Sequence, residues 1–557
     1  MSKPLVAFPP AVATFFSRAT PRRIRPVHAV AAVIIIVVFV LTRSHPETNP
    51  LPSIYSYTDN RPPRPITDIF LSRTSTEAAW LDELVDRHAI PKDVRYYSMR
   101  VKPHLNVSRP TMTDIETNFM HNGFRGVRSD SYNLRLNAEH SVDLPVAEGT
   151  KQVDVDATSL VFGISSSYDR ITRQDDALIL DWTRWLTDGN GSSNGASLVL
   201  TLRLGTDQEV RTIKNKLEDV GIDASVHSDD APDSPTRCFD LIEQLDIRKN
   251  ASNFNNSGDK HYFAVVDDDI FFPDVAQLVE RLKKYNPEEE HYIGLPSERA
   301  DWVADPDQTV TFGGGAIFLT PPALTKIAKL PCMKSQESQD PLKGYISQWD
   351  HLLYDCVSKH TKLTMHVLPS FYLPSDEIYG HYFFNYDLGI APLVLHRPRN
   401  RHRLDPGKAT ALHPHLNPST FLQRYRFADD WVLVNGHSLS HYPDGQGTAF
   451  LGSETVSSPD FEARASATLP LNTNLVVDDE GRDPRRWSVT TWTGSRRIWK
   501  FVDSRSDPST GEVWQAYVRR RGDPGEYTDN RRNEDKAGSD YVIVLIWESL
   551  PGGSDEN

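Results

Sequence analysis

The sequence predicts an α/β protein: a Rossmann-like mixed sheet with helices on both faces, followed by a small C-terminal antiparallel β module. Three observations predict it. Between residues 158 and 290, apolar runs of strand length alternate with stretches of helical period, the pattern of βαβ units in a mainly parallel sheet. The apolar stretch His261-Tyr-Phe-Ala-Val-Val-Asp-Asp-Asp-Ile-Phe-Phe272 ends in three consecutive carboxylates, Asp267, Asp268 and Asp269. Beyond residue 400, short strand-like segments separated by polar, Gly- or Pro-containing turns take over.

The 557 residues suffice for two to three domains, and 38% hydrophobic residues with 10% aromatics support at least one large core. A net charge of −14 and a pI near 5.8 argue against a nucleic-acid partner, which requires a basic surface. Ala29 to Leu41 is an unbroken apolar run preceded by Lys3, Arg18, Arg22, Arg23 and Arg25, with no acidic residue before Glu47. That asymmetry predicts a cytosolic tail (1–26) and a type II transmembrane signal anchor (27–42). The run is short for a span, so a cleaved signal peptide is the alternative; Thr42-Arg43-Ser44-His45-Pro46 is a poor cleavage site and favours the anchor. A short span suits a thin Golgi or endoplasmic-reticulum membrane, with the remainder lumenal.

Residues 43–75 hold Pro46, Pro50, Pro52, Pro62, Pro63 and Pro65, which reads as an extended stem, and 76–157 as an N-terminal lumenal extension. Asn106-Val-Ser, Asn190-Gly-Ser, Asn250-Ala-Ser and Asn255-Asn-Ser are glycosylation acceptors in a lumenal chain. Cys238, Cys332 and Cys356 allow one disulfide and one leftover thiol, without zinc-site spacing; the expected pair is Cys332 with Cys356.

From Ser159 the elements follow in order: strand Ser159 to Ser165, helix Ala177 to Leu186, strand Ser197 to Leu202, helix Gln208 to Val220, strand Asp223 to His227, helix Cys238 to Asp246, then the acidic strand. A domain over 158–400 results, followed by a β module over 401–557. The module's strands are Trp431 to Val434, Ser488 to Thr493, Arg497 to Val502, Val513 to Val518 and Tyr541 to Trp547. Six tryptophans lie there, Trp431, Trp487, Trp492, Trp499, Trp514 and Trp547. They are read as core of a small β domain in preference to a carbohydrate-stacking surface.

Acidic triplets also occur in solvated turns and helix starts, but placement distinguishes this one. It follows a buried strand and precedes a helix start at Pro273-Asp274, the strand end at which open α/β sheets bind ligands. Buried carboxylates in such number require a cation, and oxygen ligands suit Mg²⁺ or Mn²⁺ with open positions for a phosphate-bearing partner. A spaced acidic Ca²⁺ loop is absent from this segment.

After the triplet come Tyr292-Ile-Gly-Leu-Pro-Ser-Glu298, Thr311-Phe-Gly-Gly-Gly-Ala-Ile-Phe-Leu-Thr320, a helix bearing Gln348-Trp-Asp-His-Leu-Leu-Tyr-Asp-Cys356, and Leu393-Val-Leu-His-Arg397. In this order they resemble the fringe-like and β1,3-glycosyltransferase proteins of glycosyltransferase family 31, fungal lumenal branch, over about 158–400. The resemblance implies a glycosyltransferase-A-like fold, a UDP-sugar donor, Mn²⁺ (or Mg²⁺), a glycan or glycoprotein acceptor and inversion at the anomeric carbon. It implies metal ligation by Asp267, Asp269 and His396, a base at Asp350, and nucleotide or sugar contacts from Gly163, Tyr168, Arg170, Asp267, Asp268, Gly313, Gly314 and Gly315.

The chemistry asks for these groups: a cation opposes charge growing on the leaving diphosphate, and a carboxylate takes the acceptor's proton. The glycines let backbone approach a sugar, or form a β-bulge. Two departures from the family pattern stand out. Gly-Gly-Ala-Gly is here Gly-Gly-Gly-Ala316, and the polar approach to the base is here Gln348-Trp349, a bulky aromatic beside Asp350. Both bear on acceptor specificity and on activity itself. The alternative function is a catalytically silent carbohydrate-binding protein of the same fold.

Overall fold

A computed structural model describes residues 75–106, 112–174, 176–231, 233–249, 260–295, 313–333, 348–368, 386, 392–443, 445, 496–507, 509–521 and 539–550, together with the backbone of 468–469. The expected tail, anchor and stem, the sequons at Asn250 and Asn255, and the strand Ser488 to Thr493 lie outside the described residues. Among the described residues no helix is long and apolar enough to cross a membrane.

In chain order the first elements are α1 (Thr76–Arg87), β1 (Asp93–Asn106), β2 (Thr113–Ile115), β3 (Arg125–Arg128) and β4 (Ser141–Ala147). The alternating part follows: β5 (Leu160–Ser166), α2 (Tyr168–Ile171), α3 (Ala177–Leu186), β6 (Ser197–Arg203), α4 (Asp207–Asp219), β7 (Ala224–Asp229), α5 (Ser234–Arg248) and β8 (Tyr262–Val266). Next are β9 (Ile270–Phe271), α6 (Val275–Leu282), β10 (Tyr292–Leu295), β11 (Gly313–Leu319), α7 (Pro321–Ala328), α8 (Trp349–His360), β12 (Met365–Val367), β13 (Leu395–His396) and α9 (Pro406–Ala409). The chain ends in β14 (Arg424–Phe427), β15 (Trp431–Val434), β16 (Ser438–His441), β17 (Thr468–Leu469), β18 (Arg497–Ser506), β19 (Val513–Arg519) and β20 (Asp540–Trp547).

Eight strands form the first sheet in the order β17-β12-β10-β11-β8-β5-β6-β7. β5, β6, β7 and β8 pair in parallel, and β11 joins β8 antiparallel, so the sheet is mixed at its centre. This is the α/β arrangement the sequence predicts, a mixed sheet with helices packed on both faces. Capping explains where the crossover helices start. Thr206 and Glu209 form a reciprocal capping box on α4, Asp233 caps α5, and Asp274 caps α6 through the Gln277 N–H.

Alternation along the strands gives the sheet two apolar faces. Val161, Val199, Phe263 and Val265 pack with α5, α7 and α8, while Leu160, Phe162, Ile164, Leu198 and Leu200 face the other way. That second face shares one core with a second sheet, through residues such as Trp185, Phe272, Phe421, Trp499 and Leu545.

The second sheet has ten strands, and here the structure adds to the C-terminal module read from the sequence. β14, β15, β16, β18, β19 and β20 form the antiparallel part, but β1 pairs with β20 in parallel from Val94↔Asp540 to Val101↔Trp547, β3 and β4 extend it, and β2 pairs in parallel with β14. A lone C-terminal meander would expose the apolar edge of β20; a strand from the N-terminal extension covers it. The outer face is closed by α1, whose Trp80, Leu81 and Leu84 pack on Val542, Val544 and Trp514. Trp431, Trp499, Trp514 and Trp547 are all buried, as core tryptophans should be; Trp487 and Trp492 lie outside the described residues.

The Cys332–Cys356 disulfide is formed, with Cα atoms 5.9 Å apart, and Cys238 is a buried free thiol. The bond ties the turn after α7 to the middle of α8.

Candidate active site

β8 delivers Asp267 to Asp269 at its C-terminal end, where the chain turns before β9: the Ile270 N–H bonds back to the Asp267 carbonyl. Two neighbours hold this turn. The Asp267 N–H donates to the Gly315 carbonyl on β11, and the Arg397 N–H donates to the Asp269 carbonyl. β13 pairs with β9, setting His396 opposite Ile270. Distant segments thus converge on one point: Asp267, Asp269 and His396 each offer a ligand atom within 4.8 Å of the others.

The carboxylates are divided between fixed donors and an open side. Asp267 Oδ1 accepts the indole N–H of Trp349 at 2.7 Å, while its Oδ2 lies 2.8 Å from His396 Nε2. Asp269 Oδ2 accepts Arg170 Nη2 at 2.8 Å, and its Oδ1 lies 3.7 Å from the same imidazole nitrogen. Each of the two carboxylates therefore keeps one oxygen on a hydrogen-bond donor and turns the other toward His396. Asp268 is turned away from this point: it accepts Arg170 Nε at 2.5 Å and the Ser166 hydroxyl, and its carbonyl takes the Trp182 indole N–H.

Electrostatics follow from these contacts. Burial acts to raise the Asp267 carboxyl, but the hydrogen bond and charge of His396 and the bond from Trp349 outweigh it and hold the group below the usual carboxylate range. Asp268 goes the other way: burial raises it, and the Arg170 bond only offsets part of that. Asp350, 3% exposed in the first turn of α8, is pushed up to about 6 by burial and then by the negative charge of Asp267, partly opposed by backbone bonds from His351 and Gly315. Four carboxyls thus meet two nearby guanidinium groups, Arg170 and Arg397, the latter 3.8 Å from Asp269. Two carboxylate oxygens and one imidazole nitrogen beside that excess of negative charge suit a hard divalent cation.

The glycine run is built around this centre. Gly313, Gly314 and Gly315 have φ of 136°, 63° and 80°. A Cβ on Gly315 would sit 2.8 Å from His396 Cε1, and one on Gly313 would strike Ile317 at 2.6 Å. Gly315 therefore makes room for His396. Gly163 has a packing reason of its own, because a Cβ there would meet Leu241 and Leu245 of α5 at 3.0 to 3.1 Å. Tyr168 sits partly buried against the core in α2, the short helix that also carries Arg170.

Of the residues singled out in the sequence, Asp267, Asp268, Asp269, His396, Arg170, Asp350 and the glycine run come together; Gly163 lies mid-strand in β5. The aromatic at 349 is corrected: it keeps a polar contact to the site through its indole N–H, which the residue type alone did not signal. Ser166 and Arg397 were missed as well. Their only sequence signals are a polar residue closing an apolar strand and a cation directly after His396.

No family profile matches the sequence, and no curated protein sequence matches it. Among solved structures, the glycosyltransferase GlyE of Streptococcus pneumoniae superimposes with a TM-score of 0.26 at 13% identity, over 42% of this chain and 54% of that one. An active-site mutant of LgtC gives 0.26 at 9% identity, over 40% and 77% of the two chains. Mouse xyloside xylosyltransferase 1 in its apo form gives 0.24 at 12%, over 38% and 84%. This chain spans about half the length of GlyE. At such TM-scores the likenesses carry no argument, and the fold is read from the strand order above.

Proposed function

We propose that the chain is a metal-dependent inverting glycosyltransferase that moves a sugar from a UDP-sugar to a hydroxyl of a glycan or glycoprotein. The observation that carries the reading is the convergence of Asp267, Asp269 and His396 at the end of β8, with the buried Asp350 carboxyl beside them. A Mn²⁺ or Mg²⁺ ion held by those three residues supplies electrostatic stabilisation of the leaving diphosphate. Arg170 steadies Asp268 and Asp269 and adds positive charge at the mouth of the site. Asp350, with a carboxyl poised near neutrality, takes the proton of the attacking hydroxyl. The positive-φ backbone at Gly313 to Gly315 allows the sugar to approach without side-chain obstruction.

The finer reading is a β1,3-type enzyme of the fringe-like family 31 branch, anchored by residues 27–42 in the Golgi or endoplasmic-reticulum membrane with its catalytic part in the lumen. The Cys332–Cys356 bond supports an oxidising compartment. The silent carbohydrate-binding alternative finds less support, since the described tryptophans of the β module are buried and offer no stacking surface.

The test is UDP release by the purified protein against a panel of UDP-sugars, with and without Mn²⁺. The expected result is metal-dependent release with one donor. Asp269→Asn should cut Mn²⁺ affinity and release together by orders of magnitude while the melting temperature stays near wild type. Equal Mn²⁺ affinity in the two proteins would remove the acidic triplet from the site.

A further inference from the structure

We propose that Trp349 is a positioning residue that fixes the Asp267 carboxylate and ties it to the helical turn carrying Asp350. The inference rests on the metal-dependent reading above and adds a residue to it. The indole is 5% exposed and packs in the cluster with Leu353 and Val357, so its direction is set by the core. Its N–H is a donor only, and it is spent on Asp267 Oδ1 at 2.7 Å. That bond stops the carboxylate from presenting either oxygen at will and leaves Oδ2 facing His396 at 2.8 Å.

The bond also closes a circuit. Asp267 donates its backbone N–H to Gly315, Gly315 makes a backbone bond to Asp350, Asp350 follows Trp349 in the first turn of α8, and Trp349 returns to Asp267. The N-cap residue Gln348 makes no side-chain cap bond; within this turn it is the Asp350 Oδ1 that accepts the His351 N–H, at 2.9 Å. A shift of Asp267 is therefore felt at Asp350, and the metal-holding group and the base keep a common position.

Trp349→Phe keeps the ring and removes the donor; Trp349→Leu removes both. Mn²⁺ affinity is measured by calorimetry on the full chain, and melting temperature without metal on the same preparations. The expected result is a metal-free melting temperature near wild type in at least one variant, with Mn²⁺ bound about tenfold more weakly, the scale at which groups behind a metal ligand act. A purely structural indole would lower the melting temperature and leave the affinity of the folded protein alone. Wild-type Mn²⁺ affinity in a folded variant, or failure of both variants to fold, would overturn the proposal. Absence of Mn²⁺ binding by the wild type would instead overturn the metal-dependent reading on which it rests.

Discussion

Asp350 is the residue whose role and whose stability cost pull in opposite directions. Its folded pKa of about 6 lies above the ordinary carboxylate value, so the folded state holds the proton more tightly than the unfolded one. The stability associated with that proton is present below about pH 4 and is lost as pH rises through 6. At pH 7.5, in metal-free protein, keeping the buried carboxyl ionised costs about 3 kcal/mol. Asp350→Asn is therefore expected to raise the melting temperature at pH 7.5 and to leave it nearly unchanged at pH 4. Turnover should fall on the order of 10²-fold or more with UDP and Mn²⁺ affinity retained, because proton removal is needed only as the acceptor attacks. Thermal melts at the two pH values, donor affinity and turnover on one preparation check this. A destabilised mutant with residual transfer in proportion to its folded fraction would identify Asp350 as a structural group instead.

At the scale of elements, β11 begins with backbone that only glycine adopts readily. Gly315→Ala meets two obstacles at once, a φ of 80° and a Cβ 2.8 Å from the His396 ring. The imidazole must move, so Mn²⁺ affinity should fall at least tenfold alongside a loss of about 1 to 2 kcal/mol of stability, measured by calorimetry and by denaturant unfolding. Retained Mn²⁺ affinity would show that His396 is not held by this approach. The glycine run, the acidic strand end and the helix at Gln348 to Cys356 were legible because each is a local pattern: apolar alternation, a charge step, a helical period. The helix Ala177 to Leu186 even keeps its expected ends. The contacts that assemble the site were not legible in the same way. The pairing of β13 with β9, the Trp349 bond to Asp267 across 82 positions, and the bidentate hold of Arg170 on two aspartates are tertiary, and nothing in the residue types specifies them.

At the scale of the whole molecule, a seam of polar groups ties α3 to the segment after His396, and Lys408 of that segment reaches Asp503 on β18 of the second sheet at 2.9 Å. Asp181 of α3 bonds Arg399, and Arg399 bonds Asp405 at 3.1 Å; the Gly407 N–H also donates to Asp181. Behind this clamp lie two buried histidines, His413 and His437. Burial, with the charge of Arg184 for the first and of Arg496 for the second, holds both down at about 3. Neither ring nitrogen of His413 makes a hydrogen bond among the described residues.

That seam bears on how the chain can be cut. The sequence suggests a domain over 158–400, and the apolar face made by Leu160, Phe162, Leu198 and Leu200 belongs to a core shared with Trp499, Tyr517 and Leu545. A 158–400 fragment would expose that face to water, at about 25 cal/mol for each Å². It is expected to bind a hydrophobic dye, to lack a cooperative melt and to bind no Mn²⁺, whereas a chain from residue 75 onward retains all three native properties; a cooperatively melting fragment would show the sheets to be independent.

The same region contributes to the acid sensitivity of the intact protein through its two histidines. Both histidines are neutral in the fold and free to protonate when unfolded, so their contribution is fully present above about pH 6.5 and declines as pH falls toward 3. At pH 5 each costs about 2 kcal/mol relative to pH 8. His413→Leu replaces an imidazole lacking hydrogen-bond partners among the described residues with a side chain that needs none. The variant should lose less stability than wild type between pH 8 and pH 5, the difference being about 2 kcal/mol by denaturant unfolding. Equal losses in the two proteins would mean that water reaches His413 and that the seam is wetter than its burial indicates.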